Sequence, residues 1–276
     1  MMEFRTVVDI PDPGFRIGPC ESMLFVGSCF ADSIGARFRE EGFPVTVNPY
    51  GTMYNPASVL HTIQRLIPFV VTPRVVFLTL GTNHVYRLKE TGEIVDNCEK
   101  RPASLFQEEE LTVEACADYL SQAIGLLRQM NPDVRIVLTV SPIRYRKYGY
   151  HGSQLSKATL LLAVEKICVN LCPSVAYFPA YEIVNDELRD YRFYASDMLH
   201  PSEQAVEYIW ERLVETCFSP QAKAFIEEWR PLKQALGHKP FAPDAPETLR
   251  FQEQTRQRLK AFKDKYPGFV EDRRIE

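Results

Sequence analysis

Short, wholly apolar runs alternate with amphipathic stretches along the first four-fifths of the chain. Residues 23–26 (Met-Leu-Phe-Val) read as a buried strand running into Gly27-Ser28, and residues 31–41 follow as a helix with Ile34 and Phe38 on one face. Residues 43–47 form a second strand, ended by Asn48-Pro49-Tyr50-Gly51. Asn55-Pro56 opens a helix, with Asn as its cap and Pro at its first position. Residues 75–80 make a third strand, stopped by Gly81. A long amphipathic helix is expected over 111–130, strand four over 135–140, a helix over 153–171 and strand five over 175–178. Pro201 opens a last core helix to about Cys217, with Ala205, Ile209 and Leu213 as its inner stripe.

Five strands, each followed by a helix, predict an α/β protein: a three-layer αβα sandwich around a doubly wound, five-stranded parallel sheet. Strands apolar at every position suit a sheet covered on both faces. The simplest strand order is the flavodoxin-like 2-1-3-4-5. Residues 1–218 would form this domain. Residues 84–108 read as an inserted hairpin, Val85-Tyr86-Arg87-Leu88 and Ile94-Val95 flanking a Glu90-Thr91-Gly92 turn. Beyond Pro220 the chain becomes more charged, and residues 219–276 read as a helical extension, with helices over 223–229 and 248–265 and a Pro-rich break at 239–246. Such an extension packs on its own domain or offers a surface for a homo-oligomer.

Composition narrows the partners. With 45% hydrophobic and 25% charged residues in 276, the chain has an ordinary globular balance. A net charge of −4 argues against nucleic acid as the main partner. Seven cysteines without framework spacing read as free thiols in a reducing compartment. Cys168 and Cys172, four apart, would share a helix face as core residues. The N-terminus has no apolar signal region, and no stretch approaches a membrane span. The expected location is the cytoplasm.

Ligands of an open parallel sheet bind beyond the carboxyl ends of its strands. Ser28, Gly51, Gly81, Asn83, His84, Arg144, Tyr145, His151, Asp197 and His200 all follow strands. They include a hydroxyl, glycines, an amide, a carboxylate and imidazoles, the groups that acyl transfer needs. In this reading Ser28 is the nucleophile, His200 the base that takes its proton, and Asp197 the carboxylate that orients the imidazole. The Ser28 N–H, the Gly51 N–H and the Asn83 amide are the oxyanion donors. Tyr54, His84, Arg144, Tyr145 and His151 face the substrate. No metal or organic cofactor is called for.

Gly27-Ser28-Cys29-Phe30-Ala31 resembles the signature of the GSCFA family, a bacterial group within the SGNH/GDSL hydrolase superfamily. Asn48-Pro49-Tyr50-Gly51 with Tyr54-Asn55-Pro56 is similar to that family too, as is the run from Tyr177 through Tyr194 into Asp197-Met198-Leu199-His200-Pro201-Ser202. The resemblance spans roughly residues 4–218. It implies a serine in a first block (Ser28), a glycine in a second (Gly51), Gly-x-Asn in a third (Gly81-Thr82-Asn83) and Asp-x-x-His in a last (Asp197, His200). It implies an esterase or acyltransferase working on an acyl ester, such as an acylated saccharide or another small ester. The chain departs from the pattern at Gly27, where the superfamily has Asp, at His84, where Asp is frequent, and at Glu99 and Tyr145, where the family often has His.

Plainer readings stand beside these. Ser28 could only cap a helix. Cys29 could be a nucleophile at a helix N-terminus, though a buried structural thiol is the favoured expectation. Asp197 could cap the last helix, and Asn83 could close a turn. His61 reads as structural and His238 as solvated. Residues 144–151, Arg-Tyr-Arg-Lys-Tyr-Gly-Tyr-His, suit a substrate loop, a solvated loop or a nucleic-acid strip. A non-catalytic binding or assembly protein on the same fold is the rival function.

Overall fold

A computed structural model describes residues 5–69, 72–170 and 174–271. Its central sheet has five parallel strands: β1 (Met23–Gly27), β2 (Val45–Val47), β3 (Val75–Leu80), β7 (Arg135–Val140) and β8 (Val175–Tyr177). They lie in the order β2-β1-β3-β7-β8, the doubly wound order expected. Every residue of β1 and β3 is buried, which is why these strands are apolar throughout.

Helices cover both faces. On one side α1 (Cys29–Glu40) and α6 (Glu203–Cys217) pack over Phe25 and Phe77, whose rings stack at 4.6 Å; Phe38 meets Trp210 edge-on at 4.8 Å. On the other, α2 (Pro56–Leu66), α3 (Val113–Met130) and α4 (Gly149–Asn170) bury Leu60, Ile63, Leu120, Ile124 and Leu160 against Leu24, Val76 and Leu138. The caps act as anticipated: Asn55 Oδ1 accepts from Ser58 N at 2.9 Å, with Pro56 at the first turn of α2. After β8 a short α5 (Ala180–Glu182) runs on as a π-helical turn, Ile183–Leu188.

Several boundaries move. α1 begins at Cys29, two residues before the amphipathic pattern does, because Ser28 caps it. α4 begins at Gly149, and α6 begins at Glu203 behind the cap Ser202. The expected end of α4 at Leu171, and Cys172, expected on one helix face with Cys168, lie outside the described residues. The insertion is a three-stranded antiparallel sheet rather than a hairpin: β4 (His84–Leu88) pairs with β5 (Ile94–Val95) and with β6 (Phe106–Glu110). The sequence of β6, Phe-Gln-Glu-Glu-Glu, carries no strand pattern, and its pairing supplies the structure instead.

The C-terminal segment packs on the α1–α6 face through α7 (Pro220–Leu236) and α8 (Pro246–Lys265). α7 continues through Pro231, although proline forfeits a helix hydrogen bond. Burial of Phe225, Ile226, Trp229 and Leu232 holds both sides of that proline in one helix. Trp229 is fully buried, and its Nε1 donates to Glu40 O at 2.9 Å, tying this segment to the end of α1. Among the described residues no helix is long and apolar enough to cross a membrane. The described cysteines are all free thiols.

Candidate active site

The chain leaves β1 through Gly27, whose φ of +147° and closeness to Thr79 admit no side chain: a Cβ there would overlap the Thr79 carbonyl and hydroxyl. Asn48 Oδ1 accepts from Gly27 N at 2.9 Å, and Asn48 Nδ2 donates to Asp32 Oδ1 at 2.9 Å. The loop after β2 is thereby bound to the first turn of α1.

These constraints turn Ser28 inward. It is 0% exposed. Its Oγ caps α1 by accepting from Phe30 N at 3.3 Å and lies 3.3 Å from Thr79 Oγ1, while its N–H donates to Thr79 O at 2.9 Å. Ser28, the expected nucleophile, is thus a buried helix cap, the place its plainer reading gave it. Cys29, expected to be buried, is instead half-buried at the first position of α1, with Sγ 3.6 Å from Tyr54 Oη. Beside that thiol the Tyr54 phenol is pushed up to about 12, by burial first and by Cys29 second.

The expected base is assembled. His200 Nδ1 and Asp197 Oδ2 are 2.5 Å apart, and Asp197 Oδ1 accepts from the N–H groups of Leu199 and His200 at 2.9 and 3.0 Å. These backbone donors come first, and His200 next, in holding the Asp197 carboxyl down to about 2. With Nδ1–H donated to the carboxylate, Nε2 of His200 is left as the proton acceptor. The loop is closed on itself by Ala195 N to His200 O, 2.8 Å, and by Ser202 N to Phe193 O, 2.8 Å, with Met198 at φ +61°. Arg144 is part of that scaffold: Nη1 donates to Met198 O at 3.2 Å, the guanidinium lies 4.2 Å from the Tyr150 ring centre, and its backbone N–H donates to Leu199 O at 3.0 Å.

Ser33, one turn along α1 from Cys29, and Pro201, next to His200, line opposite sides of one open groove of about 640 Å³. Cys29, Asp197 and His200 are not among the residues that line it. No hydrogen bond joins the His200 ring to Ser28 or Cys29 among the described residues.

The expected oxyanion donors are engaged elsewhere. Ser28 N–H is bonded to Thr79 O as described, Gly51 N–H donates to Asn48 O at 2.9 Å, and Asn83 Nδ2 donates to Leu111 O at 2.8 Å. A backbone carbonyl thus accepts from the Ser28 and Gly51 N–H groups and from one of the two N–H groups of the Asn83 amide. Of the substrate-side residues, Tyr54 and Tyr145 meet edge-on with ring centres 6.0 Å apart. His84, the first residue of β4, is buried and stacks on Tyr148 at 3.6 Å, and burial lowers its pKa. His151 is exposed on the first turn of α4. His61 bonds Asp96 at 2.8 Å, a structural role, and His238 is exposed.

One residue escaped the sequence reading. Lys157 on α4 is 1% exposed, and its Nζ donates to Gly81 O at 2.6 Å and Ser141 O at 2.7 Å, the carbonyls that end β3 and β7. The rings of Tyr145 and Tyr181 lie 5.1 and 5.9 Å away. Burial lowers its pKa to about 7. A lysine in an amphipathic helix gives no sign that it points inward. Among the described residues no group of three or more His, Cys, Asp or Glu is arranged to hold a metal ion.

Residues 22–72 and 68–213 match the GSCFA family, and residues 229–272 match the C-terminal domain of GSCFA domain proteins. The chain belongs to the GSCFA family. Both parts of this GSCFA chain, the α/β core and the helices behind it, are thus family features. No curated protein matches it in sequence. Its shape is similar to a carbohydrate esterase family 3 protein from Talaromyces cellulolyticus, at 11% identity over 75% of this chain and 98% of that one, with a TM-score of 0.42. It is also similar to a member of the lipolytic protein G-D-S-L family from Veillonella parvula DSM 2008, at 14% identity, 70% and 96% coverage, and a TM-score of 0.46. These are likenesses of shape, and they assign no activity to the GSCFA chain.

Proposed function

We propose that this GSCFA protein is an acyl-transfer enzyme, an esterase or acyltransferase acting on a small-molecule or saccharide acyl ester. Its nucleophile is the Cys29 thiol and its base is the Asp197–His200 pair. The observation that carries this reading is the half-buried thiol at the head of α1, just past the carboxyl end of β1, with a carboxylate-oriented imidazole in the loop that bonds Arg144 past the carboxyl end of β7. His200 Nε2 takes the thiol proton, sulfur attacks the acyl carbon, and the carbonyl electrons move onto oxygen. Collapse breaks the ester C–O bond, and the departing alkoxide takes the proton from the imidazolium. Water or a second alcohol then attacks the thioester with His200 again as base, which separates hydrolysis from transfer. Binding without catalysis remains the rival.

The test is a panel of nitrophenyl acyl esters of varied chain length with wild type, Cys29→Ala, Ser28→Ala and His200→Ala. Turnover by wild type, lost in Cys29→Ala and His200→Ala and blocked by iodoacetamide, is the expected result. Ser28→Ala should lose a helix cap worth about 1 kcal/mol of stability and keep its chemistry. Full activity in Cys29→Ala, or covalent labelling of Ser28 by a fluorophosphonate, would remove the thiol assignment. No turnover and no iodoacetamide labelling with any ester would return the protein to a binding role.

A further inference from the structure

An acyl-transfer site must offer hydrogen-bond donors to the oxygen that becomes an oxyanion. Here the Ser28 N–H, the Gly51 N–H and the Asn83 amide are already bonded to Thr79 O, Asn48 O and Leu111 O. One hydroxyl nearby is in the opposite condition. Tyr145 Oη is buried and, among the described residues, has no hydrogen-bond partner. Buried polar groups nearly always have one, so an orphan calls for a cause.

Its place is well defined. Tyr145 Oη occupies the space that a Cβ on residue 81 would fill, which is why a glycine ends β3. The Tyr145 ring meets Tyr54 edge-on, and Tyr54 Oη is the group 3.6 Å from Cys29 Sγ. Cys29, Tyr54 and Tyr145 therefore converge at the carboxyl ends of β1 and β3. The Tyr145 backbone is held by its N–H to Ser153 Oγ, 3.2 Å, and the ring lies over Lys157, which grips Gly81 O. The phenol is thus fixed from behind. Tyr54 in front is 39% exposed, and its hydroxyl makes the long contact to sulfur.

We infer that Tyr145 Oη is the donor that binds the oxyanion formed at Cys29, with the Cys29 N–H as its companion. The inference rests on Cys29 being the nucleophile. As the first residue of α1, Cys29 carries one of the amide N–H groups that a helix leaves without an internal acceptor. The acyl group enters by displacing the Tyr54 hydroxyl from the thiol, which uncovers Tyr145. When sulfur bonds to the acyl carbon, the carbonyl oxygen takes the electron pair and accepts a hydrogen bond from the phenol. The phenol keeps its proton throughout, since burial holds its pKa well above the usual value for tyrosine. On collapse the carbonyl reforms and the hydrogen bond weakens. Tyr145 thus orders no part of the ground state that a substrate body would touch, and its contribution falls on kcat.

The experiment compares Tyr145→Phe with wild type on the best nitrophenyl ester, measuring kcat, KM, the rate of Cys29 alkylation by iodoacetamide, and inhibition by butyraldehyde. The aldehyde adds the thiol to give a hemithioacetal that mimics the tetrahedral intermediate. Expected are a fall in kcat on the order of 100-fold or more, little change in KM, an unchanged alkylation rate and a similar loss of aldehyde affinity. Turnover within about threefold of wild type, or aldehyde affinity left intact, would overturn the assignment while leaving Cys29 in place. An alkylation rate that falls with kcat would also overturn it, making Tyr145 a support for the thiol. Activity surviving in Cys29→Ala would instead bring down the nucleophile on which it rests. If Tyr145→Phe fails to fold, 3,5-difluorotyrosine at 145 keeps the hydroxyl and changes its acidity. A kcat that does not respond to that change rejects the donor role.

Discussion

Lys157 makes a quantitative demand on stability. Its ordinary pKa of 10.5 is lowered to about 7 by burial in the folded protein. Between those values the unfolded chain binds a proton that the folded chain gives up. Stability therefore rises with pH through this window, by up to about 1.4 kcal/mol per pH unit. From pH 7.0 to 8.5 the increment integrates to about 1.5 kcal/mol. The neutral amine suits the site, since its two N–H bonds match the two carbonyls of Gly81 and Ser141. Higher pH brings an opposing effect. Burial raises Cys20 and Cys168 to about 11 and Cys116 to about 12, so the folded state holds protons that the unfolded thiols lose. Their stabilising contribution disappears as pH climbs, which confines the Lys157 signal to the range below about 9. Urea unfolding at pH 7.0 and 8.5 should show the increment in wild type and its loss in Lys157→Met, whatever the absolute stability of the variant. An equal increment in both proteins would mean that Lys157 is not the titrating group.

Other expectations bear on the backbone and the core. Gly27→Ala places a Cβ against the Thr79 carbonyl at a φ of +147°, and should cost about 3 kcal/mol or more in unfolding free energy or abolish folding; a thermal midpoint equal to wild type would contradict the close approach of β1 to β3. Trp229→Ala empties a fully buried site and removes the bond to Glu40 O, with an expected loss of about 3–5 kcal/mol by denaturant titration. A cost under about 1 kcal/mol would show that α7 is not part of the core. Asp197→Asn keeps the loop-closing acceptor Oδ1 while removing the charge that orients His200, so kcat should fall by orders of magnitude with little change in melting temperature.

The parts of the fold that bury apolar side chains at regular spacing were readable in advance. The runs at 23–26, 75–80 and 135–140 are central strands, and the Asn55-Pro56 and Asp197-x-x-His200 spacings carry their meaning locally. What escaped depends on distant partners. β6 is a strand because its backbone pairs with β4, against the polarity of its own side chains. The choice between Ser28 and Cys29 turns on which of two adjacent residues meets Thr79, a contact 51 positions away. The oxyanion donors could be nominated by type, but only the fold shows which of them already meet a carbonyl and that, among the described residues, the Tyr145 hydroxyl meets no partner. Lys157 was hidden for a like reason, since its partners are carbonyls, which every residue has.

The outer strands of the main sheet, β2 and β8, are three residues long, and β5 at the border of the small sheet has two. So brief a margin gives an incoming strand almost no ladder to extend, and it protects against edge-to-edge aggregation. A relative whose β2 or β8 had grown by several residues would need lysines or a proline there to stay dispersed.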